Sequence, residues 1–501
     1  MVSKWWYHLS MEQENPLIWP RKPDQERINR YQHSDKLYYG NHYDAFSIKA
    51  KKGFEKRYEM LRYVTANFAK IVSNVMADML FGEQLIVDVK NDKTQAYMNA
   101  LIQQNDLISQ LWESAVGNSR RGDAVFKLRV GKRHPRDEKM SLIFEEFTPA
   151  QYFPAFGGDT ARNVPLQDVI AHTFKSGNKT ILHKEIHEPG YIFHETFQYD
   201  QTQQKIIAEV SPEEFGYKKE EQTKVKRSLI FHIPNVRDGS GFFGTSDYGQ
   251  DLESLFFALN NRLTKTDNIL DKHSDPILAV PPGVLDENGR VKKESLGMFE
   301  VDNETPGFSK PEYIVWNANL ESAENQIDKL IEMLYMFSEV APATMGLDKN
   351  GAAESGRALK FRMIATIRKR NRKIRMYDAT LKSMLLVAQQ LGDAFGVVVE
   401  DETGTVLKSG GIEVPSIKWS DKIINDEVEA VDMATARIDN GTLSRADAIT
   451  RLDGMDPAEA KLKVKEIDEE AAPAVADVTS GLNGGAKPKD PANTDNQNQG
   501  A

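Results

Sequence analysis

Apolar residues spaced three and four apart dominate residues 320–391 and predict two long helices around a short interruption. The first helix carries Leu320, Ala323, Ile327, Leu330, Leu334, Phe337 and Ala341 on one face. The second begins near Ser355 and carries Leu359, Met363, Ile367, Ile374, Tyr377, Leu381, Leu385 and Ala388. At about 1.5 Å per residue it extends on the order of 55 Å, more than a small domain needs. Between them, residues 341–356 read APATMGLDKNGAAESG, with one proline, three glycines and no aromatic. Such a segment packs no core of its own, and its glycines loosen the backbone.

The remaining pattern divides into blocks. Residues 1–53 are polar and aromatic with little periodicity, which predicts an irregular arm. Tyr58, Leu61, Val64, Phe68, Ile71, Val75 and Met79 form a stripe that predicts a helix over 54–81, closed by Gly82. A short strand (LIVDV, 85–89) and one helix over 93–121 follow. From 124 the period changes to two: AVFKLRV, LIFEEF, DVIAHTF, ILHKEIHE, YIFHETFQY, KIIAEV and SLIFHI read as half-buried strands of a mostly antiparallel sheet. A helix over 246–274, capped by Ser246 or Asp247, carries Leu252, Leu255, Phe256, Leu259 and Leu263. Residues 275–317 hold five prolines, the turn DENG and the short strands ILAV, MFEV and YIVW, a β-rich insertion between two helices. After Gly392, residues 397–419 read as a hairpin returning to the sheet, followed by short helices over 423–438, 444–452 and 457–470. Residues 471–501 are too poor in apolar side chains to be expected to fold. The expected class is α+β, with the helices nested around the insertion.

Length and charge narrow the function. A chain of 501 residues exceeds what one core fills, about 250–300 residues, so several structural units are expected. No apolar run approaches the roughly 18–20 residues of a membrane helix, and the opening residues lack a secretory apolar segment. The absence of cysteine excludes disulfide and thiol chemistry. A net charge of −10 argues against tight coating of nucleic acid, so any contact with DNA must come from local basic features.

Three stretches carry candidate chemistry. Residues 239–244 spell G-x-G-x-x-G between a strand and a helix. Phe242 and Phe243 obstruct a pyrophosphate, the preceding strands are antiparallel in style, and no acidic partner follows, so a strand-to-helix turn is expected. A P-loop sequence is missing. His183, His187 and His194, with Glu188 and Glu195, supply metal-ligand residue types, but on strands, where positions four apart are about 13 Å distant. A solvated strand face is expected there, with no metal and no cofactor. The long helix carries Arg357, Lys360, Arg362, Arg368, Lys369, Arg370, Arg372, Lys373 and Arg375 before its first acid, Asp378. That run reads either as a solvated face with partners for acidic neighbours or as an interface between identical subunits around DNA. Lys349 and Asn350, in the small-residue loop, suit weak, sequence-independent phosphate contact. No catalytic constellation stands out, and no enzymatic activity is expected.

The order of elements and several phrases resemble the portal proteins of long-tailed double-stranded DNA phages. The phrases are VMADMLFGEQ (75–84), NSRRGDAVFKLR (118–129), GTSDYGQDLESLFFALNNRL (244–263), AAESGRALKFR (352–362) and IDNGTLSRADAITRLDGMDPAEA (438–460). The resemblance implies the phage portal fold: an α/β wing (54–245 and 357–425) with a mostly antiparallel sheet and long helix, a two-helix stem (246–274 and 318–340), a small β-rich clip (275–317), and a helical crown (426–470). Residues 341–356 would be the tunnel loop, with Thr344, Met345, Asp348, Lys349, Asn350 and Gly351 facing the DNA channel. Val284, Asp286, Asn288, Arg290, Lys292, Lys293 and Glu304 of the clip would bind the terminase or connector. The resemblance further implies a dodecameric ring of identical subunits at one capsid vertex of the virion, assembled in the host cytoplasm. Double-stranded DNA would pass through it without sequence preference, moved by a separate terminase large subunit. Head-completion or adaptor proteins and the major capsid and scaffolding proteins would be further partners, with no membrane involved. A neck or scaffold component would share the acidic, oligomeric character and is the alternative. Helices 246–274 and 318–340 are each roughly 35–40 Å long. A lone pair would leave Phe256, Phe257 and Leu334 wet, and packing against copies would bury them.

Overall fold

The computed structural model describes residues 17–47, 63–157, 164–237, 239, 241–274, 277–279, 312–314, 320–347, 356–401, 403–420 and 427–481. The chain divides into two compact units, Met1–Ala352 with Leu359–Lys422, and Ala353–Ala358 with Ile423–Ala501. The expected mixed architecture is present, with long helices and antiparallel sheets.

The first unit opens with a correction. Helices α1 (Lys22–Tyr38) and α2 (His42–Ala45) occupy the expected arm. The buried face of α1 is Asp24, Arg27, Tyr31, Ser34 and Leu37, which has helical spacing but is mostly polar, so hydrophobic periodicity misses it. Arg27 makes this face work. Its guanidinium donates to the carbonyls of Pro149 (2.7 Å) and Tyr152 (2.8 Å) and lies 4.3 Å from the Phe243 ring centre.

Helix α3 (Phe68–Phe81) starts later than the stripe predicts. The Val64 amide donates to Thr264 Oγ1 and the Ala66 amide to Asn260 Oδ1, while the Asn67 side chain caps the helix through the Lys70 amide. Residues 54–62 lie outside the described residues. Strand β1 (Ile86–Asp88) follows. The single helix expected over 93–121 is two, α4 (Asp92–Gln104) and α5 (Leu107–Arg121). Asp106 turns left-handed at φ 47°, and buried Asn105 donates to the Leu142 carbonyl and accepts from the Phe144 amide, tying the break to the sheet.

Strands β2 (Asp123–Gly131), β3 (Ser141–Phe147) and β10 (Ile230–Pro234) form one antiparallel sheet in the order β10-β2-β3. A second sheet orders β4 (Ala155–Phe156), β5 (Pro165–Ser176), β6 (Lys179–Glu188), β7 (Tyr191–Asp200) and β8 (Lys205–Val210), with β9 (Glu220–Gln222) also on β7. Strand β2 is buried on both faces up to Leu128, not half-buried as its alternation suggests. Ala124, Phe126 and Leu128 enter the helical core, while Val125 meets Tyr152, Ile170 and Ile230.

Helices α6 (Gln250–Ser274) and α7 (Leu320–Ser338) pack together with α3. Leu252, Leu255, Phe256 and Leu259 meet Leu334, Phe68, Val72 and Met76. Phe256 and Leu334 are fully buried within one chain and Phe257 is half-buried, so the wet stripe expected of a lone pair is filled by α3. Of the insertion, strands β11 (Ile277–Ala279) and β12 (Glu312–Ile314) are described, and they pair antiparallel. Helix α8 (Gly356–Arg362) is separated at Met363 from α9 (Ile364–Phe395), whose inner face, Tyr377, Leu381, Met384, Leu385 and Ala388, completes the main core. The hairpin β13 (Val399–Glu400) and β14 (Val406–Leu407) pairs only with itself, and β15 (Ser416–Lys418) pairs with β1, so neither joins the main sheets.

The second unit holds α10 (Glu427–Asp439), α11 (Arg445–Leu452), capped by Ser444 through the Asp447 amide, and α12 (Pro457–Gly481). Helix α12 continues eleven residues into the segment expected to be unfolded. Alanine, four of the residues from 471 to 481, favours helix without needing apolar partners.

Two glycines fix where β10 hands over to α6. Gly122 sits at φ 98°, and a Cβ there would lie 2.8 Å from the Gly244 carbonyl oxygen, while a Cβ on Gly244 would collide with the Gly122 carbonyl. Gly122→Ala is expected to destabilise the first unit by ~1–3 kcal/mol through its left-handed backbone and this contact, read as a lowered urea midpoint. Gly190→Ala, left-handed but in open space, should lose less.

Candidate functional site

The site is the joint where the paired helices α6 and α7 meet the long helix α9. Asp247 lies three residues before α6, and its carboxylate is buried. Lys369 Nζ stands 3.3 Å from it, and Lys373 Nζ 2.7 Å. Ser119 Oγ donates to the same carboxylate at 2.5 Å, and Asn235 Nδ2 donates at 3.1 Å. Lys369 also donates to the Ser338 carbonyl at the end of α7, 2.8 Å away. One ammonium therefore holds the approach to α6 and the finish of α7. A turn earlier, Thr366 Oγ1 accepts from the Ala341 amide (2.7 Å) and donates to the Glu339 carbonyl (3.1 Å). Arg372 pairs with the Glu339 carboxylate at 2.5 Å.

Two lysines share one carboxylate here, and the surplus charge is spread over carbonyl oxygens. Burial alone would raise the Asp247 carboxyl, but Lys369 and Lys373, with hydrogen bonds from Lys373 and Ser119, hold it well below the usual carboxylate range. Burial pulls the Lys373 ammonium down to about 8 despite Asp247. Arg370 points elsewhere, donating to the carbonyls of Met79 and Ser420 at 2.5 Å each.

The basic run is thus divided. Lys369, Arg370 and Lys373 are buried and satisfied internally, whereas Lys360, Arg368, Arg372 and Arg375 are exposed. Beyond α7, Pro342–Met345 forms a 3-10 turn closed by Gly346 at φ 68°. The Thr344 hydroxyl is spent inside this turn on the Ala341 carbonyl (2.6 Å), Met345 is half-buried, and Leu347 is exposed. Asp348, Lys349, Asn350 and Gly351 lie outside the described residues, as do Val284, Asp286, Asn288, Arg290, Lys292, Lys293 and Glu304.

The glycine motif is a packing turn. Phe242 stacks on His232 with ring centres 4.5 Å apart, and the Gly244 amide donates to Asp123 Oδ1 at 2.8 Å. Asp123 also accepts from Tyr31 and contacts His232 Nε2. The histidines depart from expectation. His183, His187 and His194 are buried, not solvated, because the face of β6 that carries two of them packs toward Lys127 of β2. Among the described residues no group of three or more His, Asp or Glu side chains has a metal-holding arrangement, and no helix is long and apolar enough to cross a membrane. Asp247, Asn235 and Ser119 carry almost no sequence signal as a site; the one available is an acid just ahead of a helix, which reads only as a cap.

Asp247→Asn leaves two buried ammonium groups without a counter-charge, and a loss of about 3–5 kcal/mol in urea unfolding is expected. A carboxylate depressed in the folded chain stabilises it above the unfolded pKa, and that contribution disappears as the pH falls through the acid range. The substituted chain should therefore show a shallower loss of stability on acidification.

Residues 21–474 match the model of the phage portal protein family described as SPP1 Gp6-like. Two solved structures share 12% identity with the chain. One is a chain of the virion of a native gene transfer agent particle, with TM-score 0.40, covering 89% of this chain and 97% of that one. The other belongs to the neck of a native gene transfer agent particle computed with C12 symmetry, with TM-score 0.38 and coverage of 77% and 89%. No curated protein matches. With the family model matching most of its length, the chain belongs to the SPP1 Gp6-like phage portal proteins.

Proposed function

We propose that copies of this portal protein close into a dodecameric ring at one capsid vertex, and that double-stranded DNA is packaged and later ejected through its bore. The family match over residues 21–474 carries this reading. Three properties of the chain support it. Helices α6 and α7 are bound together at one end by Lys369 and carry the insertion between them, as a stem with a docking clip requires. Met336, Phe337 and Phe361 are 65%, 47% and 71% exposed, apolar surface of the kind a neighbouring subunit covers. The net charge of −10 suits a channel that lets DNA slide instead of gripping it.

In this reading residues 275–317 dock the terminase large subunit and afterwards the head-completion proteins. Residues 341–356 line the narrowest part of the bore, and capsid and scaffolding proteins hold the ring in place during assembly in the host cytoplasm. End-on electron micrographs of the purified protein should show a ring with a bore wide enough for a duplex, about 20 Å. Closed particles without such a bore would favour a neck or scaffold component. Deleting residues 343–353 should leave ring assembly intact and abolish DNA packaging in an assay with the terminase; loss of assembly would assign the loop a structural role.

A further inference from the structure

On the face of the larger sheet whose Glu185 meets Lys127 of β2 lies a cluster of imidazoles that the channel function does not use. His172 on β5 is registered opposite His183 on β6, with ring centres 5.0 Å apart. His183 Nε2 and His194 Nδ1 are 3.0 Å apart, and the rings are stacked at 9°. Tyr217 lies over His183, 4.1 Å between ring centres, and closes the stack. On the same face, His187 Nε2 contacts Glu185 (2.6 Å), and Lys127 from β2 contacts Glu185 (2.7 Å). Glu221 of β9 acts on His194 from the rim. His183 is 2% exposed, and its Nδ1 has no hydrogen-bond partner among the described residues.

Proton counting makes this arrangement one-sided. The contact between His183 Nε2 and His194 Nδ1 needs one hydrogen, which a neutral pair supplies. A first added proton leaves a cation with a buried N–H at His183 Nδ1 that donates to nothing nearby. A second puts N–H against N–H across 3.0 Å and breaks the contact. Glu185 is already engaged by Lys127 and His187, and Glu221 lies at the rim beside His194, so charge added at His183 finds little compensation.

We infer that the His172–His183–His194 cluster is an acid-sensitive lock across strands β5, β6 and β7, closed while its imidazoles are neutral and released when they take up protons. Burial, with His194 and His172 adding to it, lowers His183 from 6.5 to about 4, and burial also lowers His194 and His172. For a base depressed in the folded chain, the closed form is fully favoured above the unfolded pKa and loses ground as the pH falls below it. From those two values His183 alone shifts the closed-to-open ratio about thirtyfold between pH 8 and pH 5.

Hydrogen–deuterium exchange on the full-length protein in its assembled state tests this independently of the portal reading. After correction for the intrinsic rate, amides of β6 and β7 should lose protection at pH 5 by about tenfold or more relative to pH 8, while those of α5 and α9 hold. His183→Phe, which keeps the ring stack without a titrating group, should flatten that difference, and His194→Gln serves if the first variant does not fold. Protection of β6 and β7 that is equal at both pH values, or that falls everywhere alike, overturns the inference. So does a pH difference that survives substitution. Should neither variant fold, the native exchange pattern decides alone.

Discussion

The first unit depends on a buried carboxylate shared by two lysines. Asp247 precedes α6, Lys369 and Lys373 project from α9, and Asn235 and Ser119 complete the shell. Desolvating three charges is costly, and the cost is offset because the carboxylate meets four donors and each lysine reaches a second oxygen, Lys369 the Ser338 carbonyl and Lys373 the side-chain carbonyl of Asn235. Removing the charge of Asp247 strands both lysines. Five separate stretches of chain therefore meet at one point in a single arrangement, which an apolar contact of the same size would specify less sharply.

That cluster changes the meaning of the basic run on the long helix. Counted along the sequence, nine basic residues before the first acid suggest a surface for a polyanion. Folding sends Lys369, Arg370 and Lys373 inward, where they bond a carboxylate and backbone carbonyls. Arg368 and Arg375 remain outside, and Arg372 pairs with Glu339. Linear charge density overstated the external field, because a helix distributes neighbouring residues around its whole circumference.

The legible parts were those where periodicity reports packing directly. The antiparallel strands between 124 and 233, the paired helices and the long helix all followed from spacing. Failures came where polar groups do the packing. The inner face of α1 is made of Asp24, Arg27 and Ser34, which hydrophobic spacing cannot register. The break at Asn105 is held by side-chain bonds to a distant strand. His183 and His187 look like an exposed strand face until a second sheet is laid over them. The joint at Asp247 was hidden for the same reason: its partners Lys373 and Lys369 are 126 and 122 positions away, and neither spacing nor composition links them.

One consequence of the paired helices follows from how their ends are secured. At the body, a single ammonium ties both, and at the far side β11 and β12 join in a short antiparallel ladder. Two rods fastened together at both extremities cannot slide lengthwise past each other without breaking one fastening. A twist or push delivered at the outer tip therefore reaches α9 as motion of the pair, undivided, where Lys369 is joined by Thr366, Arg372 and Lys373.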